Sequence, residues 1–288
     1  MIGPGPDPGR LLALAEAAAA DAARMLAGRR AEGRPGVVAT KSSPTDVVTE
    51  ADRAAEAMII ERIRAERPGD AFLGEEGGQR DGRPDEPGGP GGVRWIIDPL
   101  DGTVNYLYGL PDFAVSIAAE VRGEIVAGVV HLPERGEVFT AVAGGAAWLR
   151  DPGSRRATRH PATALRCNQD VPLSRALVAT GFGYEVGRRR VQGEVAGAVL
   201  PRVRDIRRGG SAAVDLCSVA AGRVDAYYER GVNYWDIAAG GLIAREAGAR
   251  VGGLSGQPAG SGMTIAAGPA LYAELNDLLE KLRPLRDT

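Results

Sequence analysis

The chain has 288 residues, of which 44% are hydrophobic, so it is long enough to bury a large core in one domain or in two closely joined ones. Its net charge is −2 and its pI is near 5.9, and this balance provides no basic surface for nucleic acid or for an anionic membrane. It contains only two cysteines and two histidines, which excludes a disulfide framework and a zinc site built from thiolate or imidazole ligands. Any metal must therefore be bound by oxygen atoms.

The first part of the chain is predicted to be helical. Residues 1–9 are rich in glycine and proline, carry no secretion signal and are expected to be disordered, and no apolar run of about eighteen residues occurs. Apolar residues at helical spacing predict a first helix over Leu11–Arg29 and a second over about Glu50–Arg67, capped by Thr49. We therefore expect a cytoplasmic protein.

Strands are predicted to follow these helices. Arg94–Ile97 has the pattern of a short buried strand, and Pro99 is expected to end it because proline has no amide hydrogen for the ladder. Residues 77–92 are dense in glycine, proline and charge and predict a mobile surface loop. Three β-rich runs in 113–142, separated by short turns, predict antiparallel pairing, and strands alternate with helices beyond residue 170.

The order of these elements predicts a fold of the α+β or α/β class. We expect two intimately joined subdomains: residues 10–150, with helices and a largely antiparallel sheet, and residues 151–288, of α/β type. The seam is expected between residues 140 and 185, because no Pro/Gly-rich break separates two independent domains there.

The most informative segment is the acidic turn that follows the predicted strand. Asp98 and Asp101, three residues apart, can converge on one hard cation, while Gly102 lets backbone amides approach an anion. The same pattern is also typical of a turn whose aspartates are merely solvated. Taken alone, the motif leaves both interpretations open.

Other candidate residues are individually weak. Glu75 lies in a glycine-flanked acidic turn, Asp52 on the second helix, and Glu229 at a strand end, and each can be a solvated acid. Asp236 opens a helix, so it can serve as an N-cap or reach a cation at the strand edge. The small residues at 209–213 either permit tight packing or expose amides to a polar ligand.

The combination of these residues is far more specific. Glu75, Asp98, Asp101 and Asp236, with one Asp-Gly-Thr turn, resemble the motif set of the inositol monophosphatase family, whose members are magnesium-dependent, lithium-sensitive phosphatases. The resemblance covers nearly the whole chain, and implies the layered αβαβα sandwich of the sugar phosphatases. Its segments are KSSPTD (41–46), TEAD (49–52), GEEGG (74–78), WIIDPLDGTVNY (95–106), GSAAVDLCSVAAGRVDAYYE (210–229) and YWDIAAG (234–240).

The resemblance implies a metal set and a catalytic set. Glu75, Asp98 and the carbonyl of Leu100 are similar to the ligands of one magnesium, and Asp98, Asp101 and Asp236 to those of a second. Thr103 and Asp52 resemble the pair that orients and deprotonates the attacking water, with Glu75 counted among the catalytic residues.

The resemblance also implies which residues contact the substrate. The backbone of Gly102 and Thr103 is expected to hold the phosphate, Glu229 to accept hydrogen bonds from polyol hydroxyls, and Lys41 to lie on a mobile loop over the metals. The full substrate-contacting set that we expect is Leu100, Asp101, Gly102, Thr103, Gly210, Ser211, Ala212, Glu229 and Asp236.

The implied activity is hydrolysis of inositol 1-phosphate to myo-inositol and phosphate, by water activated with two or three Mg²⁺, in a homodimer. Val104-Asn105-Tyr106 after the Asp-Gly-Thr turn favours the inositol branch over nucleotide-directed relatives, which carry Lys-Glu there. Histidinol phosphate, or a broader range that includes fructose 1,6-bisphosphate, is the alternative. Asn233-Tyr234, where relatives often carry histidine or cysteine, puts the polyol contacts and the lithium sensitivity in doubt. A third interpretation is a binding partner of the transcription machinery, against which the intact acidic set argues.

Overall fold

The computed structural model describes residues 5–33, 37–40, 47–82, 92–151 and 162–286, with only the backbone described at 37–40 and 47–49. Seven α-helices lie within these residues. They are α1 (Pro8–Ala31), α2 (Glu50–Glu66), α3 (Thr103–Tyr108), α4 (Val186–Val199), α5 (Ala212–Ala220), α6 (Tyr234–Glu246) and α7 (Pro269–Leu282).

Fifteen strands lie in the same described residues. They are β1 (Val37–Thr40), β2 (Val47–Thr49), β3 (Ala71–Gly74), β4 (Gly78–Arg80), β5 (Val93–Asp101), β6 (Ala114–Val121), β7 (Glu124–Leu132), β8 (Glu137–Val142), β9 (Ala147–Arg150), β10 (Ala162–Ala164), β11 (Leu177–Thr180), β12 (Asp205–Arg207), β13 (Ala226–Glu229), β14 (Arg250–Gly252) and β15 (Thr264–Ala267).

The strands form two large sheets and one small hairpin. The first sheet has eight strands in the order β10-β9-β8-β7-β6-β5-β3-β4, and the second has five in the order β12-β11-β13-β15-β14. The first is antiparallel except where β3 runs parallel to β5. In the second, β11 is parallel to both β12 and β13, while β15 is antiparallel to its neighbours. Strands β1 and β2 pair only with each other.

Helices cover both faces of each sheet. Successive side chains of a strand point to opposite faces, so Ile96 joins the core between the two sheets and Ile97 joins the outer one. Helices α1 and α2 fill the outer core, α5 and α6 lie between the sheets, and α4 and α7 cover the far side of the second sheet. The predicted αβαβα sandwich is therefore confirmed.

Helix α6 approaches the first sheet closely. A Cβ atom placed on Gly128 of β7 would lie 3.0 Å from the Cα atom of Ala239, so there is no room for a larger residue without a shift. Alanine and glycine at this contact bring the backbones of helix and sheet together. The position of α6, which carries Asp236, is thereby fixed relative to β5–β7.

The predicted end of the strand at Pro99 is wrong. Strand β5 continues through Pro99 to Asp101, and its pairing with β6 is irregular between Asp98 and Asp101. Because proline falls inside this irregularity, its missing amide hydrogen removes no regular ladder bond. The acidic motif therefore lies at the end of β5. Asp98 is still paired with β6, and Asp101 is the last residue of the strand.

Three other boundaries differ from the predictions. Residues 78–80, predicted as loop, form edge strand β4 against β3, whereas 83–91 of the same predicted loop lie outside the described residues. Helix α1 begins at Pro8, inside the predicted disordered start, because the Asp7 side chain accepts a hydrogen bond from the amide of Gly9. Strand β10 joins the first sheet beyond residue 150, and the division into subdomains stays a prediction. No helix in the described ranges has the length and apolar character to cross a bilayer.

Candidate active site

The acidic turn at the end of β5 is held by its own backbone. The amide of Leu100 donates to Oδ1 of Asp98 at 3.1 Å, and Gly102 starts helix α3 with a φ of +93°. A Cβ on Gly102 would lie 2.9 Å from the carbonyl oxygen of Asp112. Glycine is therefore required here both for the left-handed conformation and for the close approach of the backbone.

Thr103, the first residue of α3, connects this turn to helix α2. Its Oγ1 lies 3.2 Å from Oδ1 of Asp52 and 3.2 Å from the carbonyl oxygen of Leu100. Asp52 is fully buried in the first turn of α2. A hydroxyl has one proton, so Thr103 donates to one of these acceptors at a time and keeps its lone pairs for a third group.

The middle helix layer supplies the opposite side of the acidic cluster. Oδ2 of Asp101 accepts hydrogen bonds from Oγ of Ser211 and from the amide of Ala213, both at 2.7 Å, at the start of α5. Oδ2 of Asp236 accepts from the amide of Asn233 at 2.6 Å. Asn233 is the N-cap of α6 and Asp236 lies three residues later, so the alternative in which Asp236 is the N-cap is wrong. In both Asp101 and Asp236, the second carboxylate oxygen, Oδ1, takes no part in these hydrogen bonds.

Negative charge in this cluster is concentrated and poorly compensated. Burial and the neighbouring carboxylates of Glu75, Asp101 and Asp236 raise the pKa of Asp98 well above its usual value. Burial, together with Asp101 and Glu75, does the same to Asp236. Burial raises the pKa of Asp101 to about 6 despite its hydrogen bonds. Within the described residues, no basic side chain forms an ion pair or hydrogen bond with Asp98, Asp101 or Asp236.

The donor types in this cluster fit a hard divalent cation. In the described part of the chain, no three acidic, histidine or cysteine side chains surround one point as a formed metal site. Carboxylate and carbonyl oxygens are the ligands that magnesium prefers, and a cation relieves the mutual repulsion of Glu75, Asp98, Asp101 and Asp236. These four side chains and the carbonyl of Leu100 could therefore hold magnesium.

Glu229 lies at the end of β13, facing the same space from the second sheet. Oε2 of Glu229 accepts a hydrogen bond from the Tyr227 hydroxyl at 3.0 Å. The carboxylate lies against Gly181, where a Cβ would approach it to 1.9 Å. Burial raises the pKa of Glu229 to about 7, opposed by the Tyr227 bond. The Glu229 carboxylate, held by the Tyr227 hydroxyl, is therefore a hydrogen-bond acceptor that faces the cavity from the second sheet.

All of these features meet in one cavity of about 560 Å³. It is lined by all of the predicted metal- and substrate-contacting residues: Glu75, Asp98, Leu100, Asp101, Gly102, Thr103, Gly210, Ser211, Ala212, Glu229 and Asp236. Asp52 does not line it but lies behind Thr103. Lys41, predicted to cover the metals, falls outside the described residues.

The sequence patterns missed one wall of this cavity. The rest of the lining consists of Phe182, Gly183, Tyr184, Glu185, Arg188, Arg208, Gly231, Val232, Asn233 and Trp235. The Gly181-Phe182-Gly183-Tyr184 run after strand β11 is the local signal that could have identified this loop, since glycines at a strand end allow close approach to a ligand. Nothing in the sequence alone places Arg188 or Arg208 at the cavity.

Comparisons with known proteins agree over the full chain. A profile described as the inositol monophosphatase family matches residues 7–286. The chain is 46% identical to a Mycobacterium tuberculosis protein named inositol-1-monophosphatase SuhB, with 100% of both sequences covered, and 41% identical to a Pasteurella multocida protein named Nus factor SuhB, with 88% of each covered.

Solved structures show the same relationship. M. tuberculosis SuhB superposes with a TM-score of 0.78 at 44% identity, covering 97% of this chain and 99% of that one. The extragenic suppressor protein SuhB of Bartonella henselae gives 0.81 at 35% identity, with 94% and 99% covered. Fold, motif order and sequence identity thus agree, and the chain belongs to the inositol monophosphatase family of phosphatases.

Proposed function

We propose that this protein is a magnesium-dependent phosphatase that hydrolyses inositol 1-phosphate to myo-inositol and inorganic phosphate. One observation carries the proposal: the four carboxylates Glu75, Asp98, Asp101 and Asp236 share a cavity with the Thr103–Asp52 hydrogen bond. The four carboxylates suit a divalent cation, and the Thr103–Asp52 pair can orient and deprotonate a water molecule.

Bound magnesium would neutralise the phosphate dianion and acidify water, which removes the repulsion between the ester and its nucleophile. The chain's own groups supply the orientation. The amides at the Gly102 turn suit the phosphate oxygens, and the Thr103 hydroxyl accepts a hydrogen bond from water while it donates to Asp52. Water then attacks phosphorus and the ester P–O bond breaks. One proton of the water passes to the inositol oxygen, which leaves as an alcohol, and the other stays on the inorganic phosphate.

Glu229 supports a polyol as the leaving group. Its carboxylate lines the cavity and is fixed by Tyr227, so it can accept hydrogen bonds from hydroxyls of a cyclitol or sugar. Ser211 has a different role, because its hydroxyl already donates a hydrogen bond to Asp101. We infer that Ser211 positions Asp101 and that polyol recognition depends mainly on Glu229 and the wall around it.

Colorimetric phosphate release tests the proposal. The purified protein is assayed with inositol 1-phosphate, histidinol phosphate and fructose 1,6-bisphosphate, each with and without magnesium. We expect release from inositol 1-phosphate that requires magnesium, and loss of at least about 100-fold in Asp98→Asn, because this change removes one charge from the centre of the acidic cluster.

Glu61→Gln is a matched control for the loss of one carboxylate charge, since Glu61 is exposed on α2 far from the cavity lining. Its activity should equal that of the unchanged protein. No release from any of the three substrates would overturn the proposal, and faster release from histidinol phosphate than from inositol 1-phosphate would replace the substrate with the alternative one.

A non-enzymatic role is the second candidate, because some relatives are named Nus factor SuhB. All of the acidic residues of the family motifs are present in this chain, which supports an enzymatic role. One protein can have both the enzymatic and the non-enzymatic role. A homodimer, lithium sensitivity and a cytoplasmic location remain proposals that follow from the family resemblance. Size-exclusion chromatography with light scattering and inhibition by lithium chloride test the first two.

A further inference from the structure

The guanidinium of Arg188 is a basic group in the cavity without a partner. Its Nε atom is buried and has no hydrogen-bond acceptor, and in the described part of the chain its side chain forms no ion pair or hydrogen bond. Buried donors in native proteins almost always have acceptors, and Arg188 lines the ligand cavity, so its unsatisfied guanidinium points to an acceptor supplied by the ligand. Nε1 of Trp235, another residue of the cavity lining, is likewise buried without an acceptor.

The backbone around Arg188 makes room for this side chain. A Cβ on Gly231 would lie 2.6 Å from Nη1 of Arg188, and a Cβ on Gly183 would lie 3.1 Å from its Cδ. The side chain therefore packs against two glycines of the cavity lining, Gly183 after β11 and Gly231 after β13. Only glycine at 231 leaves space for the guanidinium in this position, since the φ of +94° there also disfavours other residues.

The N-terminus of α4 does not itself provide the anion site. Glu185 accepts hydrogen bonds from the amides of Gly187 and Arg188, so these donors of the first turn are occupied. The guanidinium remains as the group on this wall that can bind an anion. Arg208 adds positive charge to the same cavity, where it lowers the pKa of both Asp101 and Glu229 against the effect of burial.

Arg188 and the acidic turn belong to different layers of the fold. Arg188 stands on α4, which packs against the second sheet, whereas Asp98 and Asp101 end β5 of the first. A phosphate at the Gly102 turn therefore leaves Arg188 for a different part of the substrate. The cavity of about 560 Å³ accommodates a six-carbon sugar with two charged groups, because ligand pockets of ~300–1,000 Å³ hold molecules of that size.

We propose that Arg188 is a specificity-determining residue that binds a second anionic group of the substrate, a phosphate or a carboxylate distant from the ester that is hydrolysed. This inference rests on the proposed phosphatase function and names a substrate class for the same site, in addition to inositol 1-phosphate. A planar guanidinium binds either anion through two parallel hydrogen bonds. The same positive charge disfavours a substrate with a cationic amine, such as histidinol phosphate.

Two matched substrate pairs test the inference and distinguish the two anions. Fructose 1,6-bisphosphate is compared with fructose 1-phosphate, and 6-phosphogluconate with glucitol 6-phosphate, as values of kcat/KM. We expect the doubly anionic member of at least one pair to be favoured by about tenfold or more, and Arg188→Gln to remove that advantage while it changes the rate on the singly anionic member less than about threefold. The pair that responds identifies phosphate or carboxylate as the recognised group.

Arg190→Gln is the control, since Arg190 is exposed on the same helix and does not line the cavity. It should retain the preference. An equal preference in Arg188→Gln and in the unchanged protein, or no preference in either, overturns the inference and leaves the proposed function intact.

Binding of fructose 1,6-bisphosphate and of 6-phosphogluconate to Asp98→Asn, measured by calorimetry with and without Arg188→Gln, separates the two proposals. Weaker binding of either ligand in the double variant supports the anion site even when every substrate fails to be hydrolysed, a result that overturns only the proposed function. Equal binding of both ligands by the two proteins overturns the anion site.

Discussion

At the scale of single residues, Thr103 is the group whose geometry is most informative. Its hydroxyl has two acceptors at the same distance, the Asp52 carboxylate and the Leu100 carbonyl. If the carbonyl binds a cation, it no longer competes for the hydroxyl proton, which then turns to Asp52. The lone pairs of Thr103 are thereby oriented toward the cavity, and metal binding and water orientation become coupled through one side chain.

This coupling predicts different effects for two substitutions of Thr103. Thr103→Val keeps the shape but removes the hydroxyl, and we expect kcat for inositol 1-phosphate to fall by about 10²–10⁴-fold with KM changed only a few-fold. Thr103→Ser keeps the hydroxyl and should remain within about tenfold of the unchanged protein. Steady-state kinetics at saturating magnesium measures both, and equal losses in the two variants would show that the hydroxyl has no role in the chemistry.

At the scale of elements, the site depends on how closely helix α6 packs against strand β7. Gly128→Ala places a methyl group 3.0 Å from the Cα atom of Ala239, and we expect it to destabilise the fold by about 1–3 kcal/mol because backbone must move. Gly193→Ala is the matched change at an exposed position of helix α4, where a new Cβ meets nothing within 4 Å. It should stabilise the fold by up to about 1 kcal/mol. Urea unfolding measures the change in the free energy of unfolding, which should be negative for Gly128→Ala and positive for Gly193→Ala. A decrease in both variants would contradict this expectation.

Strand β7 also carries His131, which predicts a specific pH dependence. Burial, aided by Arg150 and Arg24, lowers the pKa of His131 from 6.5 to about 4. Between these values the unfolded chain binds a proton that the folded chain does not, so stability falls as the pH falls from 6.5 toward 4 and this contribution levels off below. His131→Gln removes this contribution.

The stability difference between the variant and the unchanged protein should therefore shift by about 1–2 kcal/mol in favour of the variant from pH 7.5 to pH 5. Urea midpoints and slopes at the two pH values measure it. A difference that does not change with pH would mean that His131 is protonated equally in both states.

The same elements show what the sequence could and could not predict. Helical spacing and strand alternation are local patterns, and they located α1, α2, β6, β7 and β8 to within a few residues. The continuation of β5 through Pro99 depends on its irregular pairing with β6, and β4 is too short for a pattern. Family motifs located the acidic cluster, whereas the place of Arg188 depends on how α4 packs against the second sheet, which no local signal encodes.

At the scale of the whole molecule, both sheets contribute to one cavity, and the shared layer of α5 and α6 holds them together. Asp101 of the first sheet is bonded to the start of α5, and Asp236 is in the first turn of α6. A shift of the second sheet relative to the first would separate Glu229 from the carboxylates of the acidic cluster. We therefore expect the protein to unfold as one cooperative unit although it contains three hydrophobic cores.

The ion pair between Arg223 and Glu137 provides a test of this cooperativity. Both nitrogens of the Arg223 fork donate to the carboxylate of Glu137, and the ion pair joins β8 of the first sheet to the connection between α5 and β13. Glu137 is largely buried, so Glu137→Gln leaves a charged guanidinium with a weaker acceptor and should lower the free energy of unfolding by about 1–3 kcal/mol. Exposed Glu61→Gln should change it by less than about 0.5 kcal/mol.

Hydrogen exchange followed by mass spectrometry measures where the lost stability appears. If the shared helix layer couples the sheets, Glu137→Gln reduces the protection of β6–β7 and of β13–β15 by the same free energy, because the slowest amides in both exchange through the same global opening. Protection lost only in β13–β15 would mean that the second sheet opens by itself. The cavity would then lose Glu229 before the acidic cluster, and cooperativity would end at the α5–α6 layer instead of extending across it.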